Sequence, residues 1–211
     1  MIQEIIQGVE TSWELFWGKR YISQLQGSVI TIFGGKHAQE GHAVSQQAFQ
    51  IGSLLVQKGY SVLTGGGPGV MAAANCGAYT KAKELQKNGI WTLGIGVQGV
   101  DADFVNPCAY VYKTKQFFVR KQLLIYFSDA FVIFPGGIGT ADELFEILNL
   151  MKTHKIRQVP IILFDTLYWQ SLFEWYDQAI DKKFILAKYK NLFVLIDLPE
   201  ELFGALKSFS L

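Results

Sequence analysis

Cysteine is nearly absent from this chain of 211 residues, with Cys76 and Cys108 the only two. They form no CxxC pair and have no histidine beside them, so a disulfide framework, a zinc site and a redox motif all lack support. Both are expected to be small thiols, buried or half-buried. Histidine is almost as sparse. His37, His42 and His154 are scattered without metal-ligand spacing, and each is expected to be a surface or capping residue.

An excess of either charge is also missing. Nineteen Lys and Arg stand against eighteen Asp and Glu, a formal net charge of +1. No global field draws such a chain onto nucleic acid or an anionic membrane, so neither is expected as a partner and any anion selectivity must be local. The longest uncharged run, between Lys58 and Lys81, would reach across a bilayer. It contains Gly59, Gly65, Gly66, Gly67, Pro68, Gly69 and Gly77, which a lipid-facing helix does not tolerate. Glu4, Glu10 and Glu14 precede the first basic residue, with no apolar core of signal-peptide type. The cytoplasm is the expected compartment.

What the chain has is apolar mass: 50% hydrophobic and 14% aromatic residues, with only 18% charged. A core of this length buries about 70% of the surface the unfolded chain exposes, so no staple is required. No linker, repeat or low-complexity tract divides it. Residues 1–211 are expected to form a single Rossmann-like nucleotide-binding domain, with 1–26 as an N-terminal helical appendage.

Short β-branched or aromatic runs alternate with longer helical patterns. The strands are expected at 28–34, 60–65, 90–96, 109–113, 130–134, 159–164 and 192–197. Helices are expected at 40–58, 69–83, 115–127, 140–154, 168–181 and 199–207. The strands read as continuous apolar runs, as they do when helices cover both faces of a parallel sheet. The fold class is therefore α/β, a doubly wound and mainly parallel sheet, whose ligands sit beyond the carboxyl ends of the strands.

Three expected strands end in glycine there: Gly34-Gly35, Gly65-Gly66-Gly67-Pro68-Gly69 and Pro135-Gly136-Gly137-Ile138-Gly139-Thr140. Glycine lets a ligand approach backbone amides without a Cβ in the way, and three such turns on one edge suggest a phosphate cradle. A G-x-G-x-x-G match at Gly94, Gly96 and Gly99 is set aside, because the VDADFVNP that follows is no amphipathic helix. A Walker sequence is missing, since Gly34-Gly35-Lys36-His37 has neither the spacing nor the hydroxyl.

Thr140 is expected to cap the helix at 140–154, turning its free amides and positive dipole end toward a phosphate monoester over Gly137 to Thr140. Glu143, three residues on, has two readings. It completes a T-x-x-E capping box with Thr140, or it stands at the ligand edge as a general base or cation stabiliser. Arg120 and Lys121 interrupt an apolar helix, where two cations cost desolvation unless they meet an anion. A ligand phosphate or Glu143 would serve; a snorkelling surface pair is the other reading. The apolar girth of that helix suggests a subunit interface, and a homodimer is expected.

The pairing of FFVRK (Phe117 to Lys121) with PGGIGTADE (Pro135 to Glu143), preceded by TGGGPGVMAAAN (Thr64 to Asn75), closely resembles the LOG (LONELY GUY) family. Its proteins were long labelled lysine-decarboxylase-like, and the aromatic N-terminal segment and the tail VPIILFDTLYW look like its longer bacterial branch. The resemblance implies a modified Rossmann fold and a dimer with sites near the interface. It also implies hydrolysis of nucleoside 5′-monophosphates, cytokinin ribotides or AMP, to free base and ribose 5-phosphate.

On the matching positions it implies Arg120 and Glu143 as the catalytic pair and Lys121 as an adjacent binding lysine. Gly136, Gly137, Ile138, Gly139 and Thr140 correspond to the phosphate loop, with Gly34, Gly35, Gly66 and Gly67 completing the substrate cradle. Glu143 is assigned to the ribose and the water, and Arg120 to holding Glu143 ionised and assisting the departing base or the phosphate. The segment Gly96 to Pro107 lacks the L-P-x-E-Q stretch of the long branch, with Asp101 and Asp103 as candidate replacements for its acid. That departure motivates a rival reading, a non-catalytic nucleotide-binding sensor or carrier. No cofactor is expected, since no lysine sits in a Schiff-base setting opposite a ring-nitrogen acid.

Overall fold

The computed structural model describes residues 2–38 and 42–209. The chain runs α1 (Ile2–Ile22), β1 (Val29–Phe33), α2 (Ala43–Gln57), β2 (Ser61–Thr64), α3 (Val70–Glu84), β3 (Thr92–Val97) and β4 (Tyr110–Thr114). It continues α4 (Phe117–Tyr126), β5 (Ala130–Ile133), α5 (Ile138–Lys152), β6 (Ile161–Phe164), α6 (Thr166–Asp181), β7 (Val194–Ile196) and α7 (Leu202–Ser208). The expected start of the second helix at 40 lies outside the described residues.

The seven strands are all parallel, in the order β4-β3-β2-β1-β5-β6-β7. Side chains alternate between two cores, as the period of two requires. Phe33, Leu63, Ile95, Phe131 and Leu163 pack under Leu123, Leu144 and Trp169, from α4, α5 and α6. Ile30, Ile32, Val62, Val132 and Ile162 face Ile51, Ala74 and Leu202, from α2, α3 and α7. β1, β2, β5 and β6 are buried at every residue, which explains why their sequences show no polar alternation. The sheet is the doubly wound Rossmann-like one the sequence implies.

β4 lies at one edge and β5 beside the central β1, so α4 must carry the chain back across the sheet. The order reverses beside β1, and a crevice opens there above the strand ends.

α1 is seated, not loose. The Tyr21 ring packs on Tyr110 and Tyr112 of β4, with centroids 5.1 Å away in each case. The Lys115 backbone N–H donates to Glu14 Oε1 over 2.8 Å, while the Lys115 ammonium pairs with Glu10.

Two expectations need correction. Cys76 and Cys108 are not free thiols but form a disulfide, their Cα atoms 4.9 Å apart. The bond joins α3 to the β3–β4 connection, a contact made in three dimensions across 32 residues of sequence, which no local spacing reveals. In addition, α5 begins at Ile138 with Gly137 as its N-cap, so Thr140 lies within the first turn and caps nothing. The helix thus starts three residues, most of a turn, sooner than a Thr140 cap implies.

Candidate active site

The three glycine turns are stitched together by backbone hydrogen bonds. The Gly35 N–H donates to the Pro135 carbonyl (2.9 Å), and the Val70 N–H at the start of α3 donates to the Gly35 carbonyl (3.2 Å). The turns after β1, β2 and β5 therefore form one surface, the floor of a cavity of about 970 Å³. Gly34, Gly35, Gly66, Gly67, Gly136, Gly137, Ile138, Gly139 and Thr140 all line it, as do Arg120 and Glu143.

At one end of the floor the first turn of α5 presents the amides of Ile138, Gly139 and Thr140, which precede the first intrahelical bond, from Ala141 N–H to the Gly137 carbonyl. These donors and the positive end of the helix suit an anion. Gly136 is required here, because a Cβ at that position would overlap Thr140 Oγ1 and stand 2.9 Å from the Gly35 nitrogen. Tyr168, in the first turn of α6, donates its hydroxyl to the Gly136 carbonyl and braces the turn from outside.

Arg120 reaches the cavity from α4. Its Nε donates to the Ile95 carbonyl of β3 over 3.0 Å, and Nη2 lies 3.6 Å from Glu143 Oε1. The guanidinium passes over Gly65, where a Cβ would overlap Nη2. Both side chains are nearly buried, 17% exposed for Arg120 and 10% for Glu143. Glu143 makes no capping box, since Thr140 is not the cap; it points into the protein toward Arg120. Burial pushes its pKa up to about 7, against the opposing pull of Arg120 and then Lys121. Arg120 therefore attracts Glu143 without holding it fully ionised.

Lys121 is an expected site residue that the fold does not bring into the cavity. It turns along the outside of α5 and pairs with Asp142 and Glu146. Burial opposes its charge, but these two hydrogen-bonded carboxylates outweigh that and raise its pKa. α4 thus sends one cation inward and its neighbour outward, and both meet acids of α5.

The wall facing α5 is the β3–β4 connection, 98–109, with Asp101, Phe104 and Asn106 on the lining. Asp101 ion-pairs with Lys36 across the rim at 3.1 Å, which ties this wall to the first glycine turn. Asp103 is exposed and is not among the lining residues. A buried polar chain sits behind. Asn106 Nδ2 donates to Asn75 Oδ1 (2.9 Å), Asn75 Nδ2 donates to Thr92 Oγ1 (2.6 Å), and Thr64 Oγ1 accepts from the Gly66 N–H (2.9 Å). This chain fixes the second glycine turn. The sequence assigns no role to Asn106 or Tyr168; Tyr168 follows the end of β6 by four residues, which was the available signal, whereas Asn106 lies nine residues past β3 and had none. Gly94 and Gly96 lie within β3, and no helix follows them, so the dinucleotide fingerprint is absent as expected.

Among the described residues, no group of three or more His, Cys, Asp or Glu could hold a metal ion, and no helix is long and apolar enough to cross a membrane.

A family described as "Possible lysine decarboxylase" matches residues 71–206. A probable cytokinin riboside 5′-monophosphate phosphoribohydrolase of Oryza sativa subsp. japonica is 26% identical over 183 residues, covering 86% of this chain and 71% of that protein. A cytokinin riboside 5′-monophosphate phosphoribohydrolase of Mycobacterium tuberculosis is 27% identical over 165 residues, covering 71% and 78%. Among solved structures, a molybdenum cofactor binding protein of Rippkaea orientalis superposes with a TM-score of 0.62 at 25% identity, covering 86% of this chain and 96% of that one. The molybdenum cofactor carrier protein of Chlamydomonas reinhardtii gives 0.63 at 18% identity over 86% and 96%, a likeness of fold.

The residues present do not fit pyridoxal phosphate, the cofactor a decarboxylase of lysine would call for. The lysines on the cavity lining, Lys36 and Lys113, are both exposed, and Lys36 is ion-paired. A Schiff-base lysine needs a desolvated, neutral amine.

Proposed function

This chain belongs to the family described as possible lysine decarboxylases, and from that membership we propose that it hydrolyses the N-glycosidic bond of nucleoside 5′-monophosphates. The products are free base and ribose 5-phosphate; a cytokinin riboside 5′-monophosphate or AMP is the substrate. The named activity of the curated relatives supports this reading. The observation that carries it is the Arg120–Glu143 pair, buried on the floor of the same cavity that exposes the α5 amides.

In this reading the phosphate docks on Ile138, Gly139 and Thr140, and Glu143 faces the ribose. The C1′–N bond breaks with its electrons going to the base, leaving oxocarbenium character that an adjacent carboxylate stabilises. Water adds at C1′ and gives its proton to Glu143, whose raised pKa suits it to accept one near neutral pH, and the proton then passes through solvent to the nitrogen of the departing base, which restores the carboxylate. Arg120 polarises the departing base or steadies the phosphate, its orientation fixed by Ile95. Lys121 takes a supporting part, through its charge on Glu143. Incubation of the purified protein with AMP tests the proposal: free adenine and ribose 5-phosphate are expected by chromatography, and their absence at high enzyme concentration overturns it.

A second reading, binding without turnover, is favoured by the length match and 25% identity to a molybdenum cofactor binding protein. It predicts that nucleotide is recovered intact from the complex by mass spectrometry. A homodimer is also part of the proposal. Phe117, Phe118 and Tyr126 stand exposed on α4, and Ile5, Val9, Trp13 and Phe16 on α1. Light scattering should give twice the chain mass. The compartment proposed is the cytoplasm.

A further inference from the structure

We propose that the Cys76–Cys108 disulfide is a redox-operated clasp on the cavity wall: a dithiol opens it, the 98–109 segment loosens, and nucleotide binding weakens. The inference rests on the cavity being the nucleotide site proposed above, and it concerns the regulation of that site.

The wall has little else to hold it. Within 98–109 Asn106 is the one buried residue, so the segment lacks the apolar anchors that give a loop local stability. Its rim contact, Lys36 with Asp101, is an exposed ion pair of the kind that contributes little. Gln98 at its start donates its N–H to the Thr114 carbonyl of β4 at 2.8 Å, but from there to Cys108 the remaining ties to the rest of the protein are Asn106 and the sulfur bridge, and these act on the same two backbone segments. Asn75, which accepts from Asn106, directly precedes Cys76; Asn106 Oδ1 in turn accepts from the Cys108 N–H at 3.0 Å. With the S–S bond cut, the Cys108 segment and Asn106 are free to leave α3 together. Asn106 also donates to the Gly66 carbonyl at 3.4 Å, so the second glycine turn loses a support as well.

Both cysteines are half-buried, within reach of a reductant at the surface. In a reducing cytoplasm lasting disulfides are rare, and those that occur are largely catalytic or redox-sensing. The chemistry is thiol–disulfide exchange. One thiolate of the dithiol bonds to a cysteine sulfur and breaks the Cys76–Cys108 bond; its second thiolate displaces that cysteine. Two electrons and two protons pass to the protein, which is left with two thiols while the reductant becomes a cyclic disulfide. Arg120 is held by the Ile95 carbonyl and by Glu143, not by 98–109, so that pair stays in place and the effect falls on affinity.

The test compares oxidised protein with protein treated with dithiothreitol, with thiols counted in both. Amide hydrogen exchange of 98–109 and the AMP dissociation constant are the readouts, and a C76S/C108S variant is run alongside. Reduction should speed exchange in 98–109 and raise the dissociation constant about fivefold, as when the binding-competent population of the wall falls to about a fifth. The double variant should match the reduced protein and ignore the reductant. Unchanged exchange and affinity in wild-type protein with both thiols free would overturn the clasp, whether or not the double variant folds. Hydrolysis is scored separately: AMP bound but uncleaved in both states removes the phosphoribohydrolase reading and leaves the clasp to the affinity difference. If AMP binds in neither state, exchange alone decides.

Discussion

Arg120 Nη2 stands 3.6 Å from Glu143 Oε1, beyond the reach of a strong charge-assisted hydrogen bond, while Nε of the same guanidinium is committed to the Ile95 carbonyl at 3.0 Å. One edge of the guanidinium is therefore anchored to the sheet, and the other attracts the carboxylate without locking it. Two opposite charges brought this close and this deep need a ligand or each other; here each retains capacity for a ligand.

In the hydrolysis proposed above Glu143 is the base, and Glu143→Gln keeps its shape while removing that function. Hydrolysis of AMP should fall by about 10²- to 10⁴-fold, with unchanged circular dichroism and AMP still bound. A variant of full activity would remove Glu143 from the reaction.

The pH dependence follows from the pKa of Glu143, raised to about 7 by burial. In the proposed reaction the carboxylate is the working form, so kcat/KM should climb through pH 7 toward a plateau. Stability runs the other way. Between the ordinary value of 4.5 and about 7 the folded chain holds a proton that the unfolded chain has released. The contribution of Glu143 to stability is therefore fully present below this window and declines as pH rises across it, by on the order of a few kcal/mol. Denaturant melts at pH 5 and pH 8 read the difference, which Glu143→Gln should abolish.

Lys121→Met separates a supporting charge from a ligand contact. Lys121 lies off the cavity lining and lowers the Glu143 pKa. Its loss should move the acidic limb of the activity profile up by about half a pH unit, with KM for AMP nearly unchanged. A large rise in KM at saturating pH would instead place Lys121 on the substrate.

Gly65→Ala adds a Cβ where the Arg120 guanidinium now lies. The tip of Arg120 must shift, and misplacement of this size costs about 10²-fold in turnover. Stability should drop by only about 1 kcal/mol, because the overlap is with the end of a side chain. Thermal melts and AMP assays on one preparation compare the two losses.

The strands were legible because a parallel sheet covered on both faces writes itself as uninterrupted apolar runs, as in VITIF of β1 and AFVI of β5. The meeting of Arg120 with Glu143 was legible too, since a cation amid FFV and LLIY and an acid after a glycine turn are costly unless they meet something. What escaped was whatever depends on distance through space. Cys76 and Cys108 are 32 residues apart, and nothing near either announces the other. Lys121 follows Arg120 directly, but 100° of helical rotation puts it on another face, and sequence cannot say which of the two turns inward. The Thr140 cap failed because Gly137 has no side chain to advertise itself, yet its backbone begins the helix.

The chain lays down β1 to β4 outward on one side of its central strand and β5 to β7 on the other. Arg120 is fastened to β3 of the first group, and Glu143 rides on the helix that follows β5 of the second. Guanidinium and carboxylate thus meet across a seam between two half-sheets, and a slight shear there parts them while every strand remains paired. Enzymatic inactivation in urea or on warming should precede the loss of helical ellipticity, because catalysis reports the alignment of the halves and the spectrum only their existence.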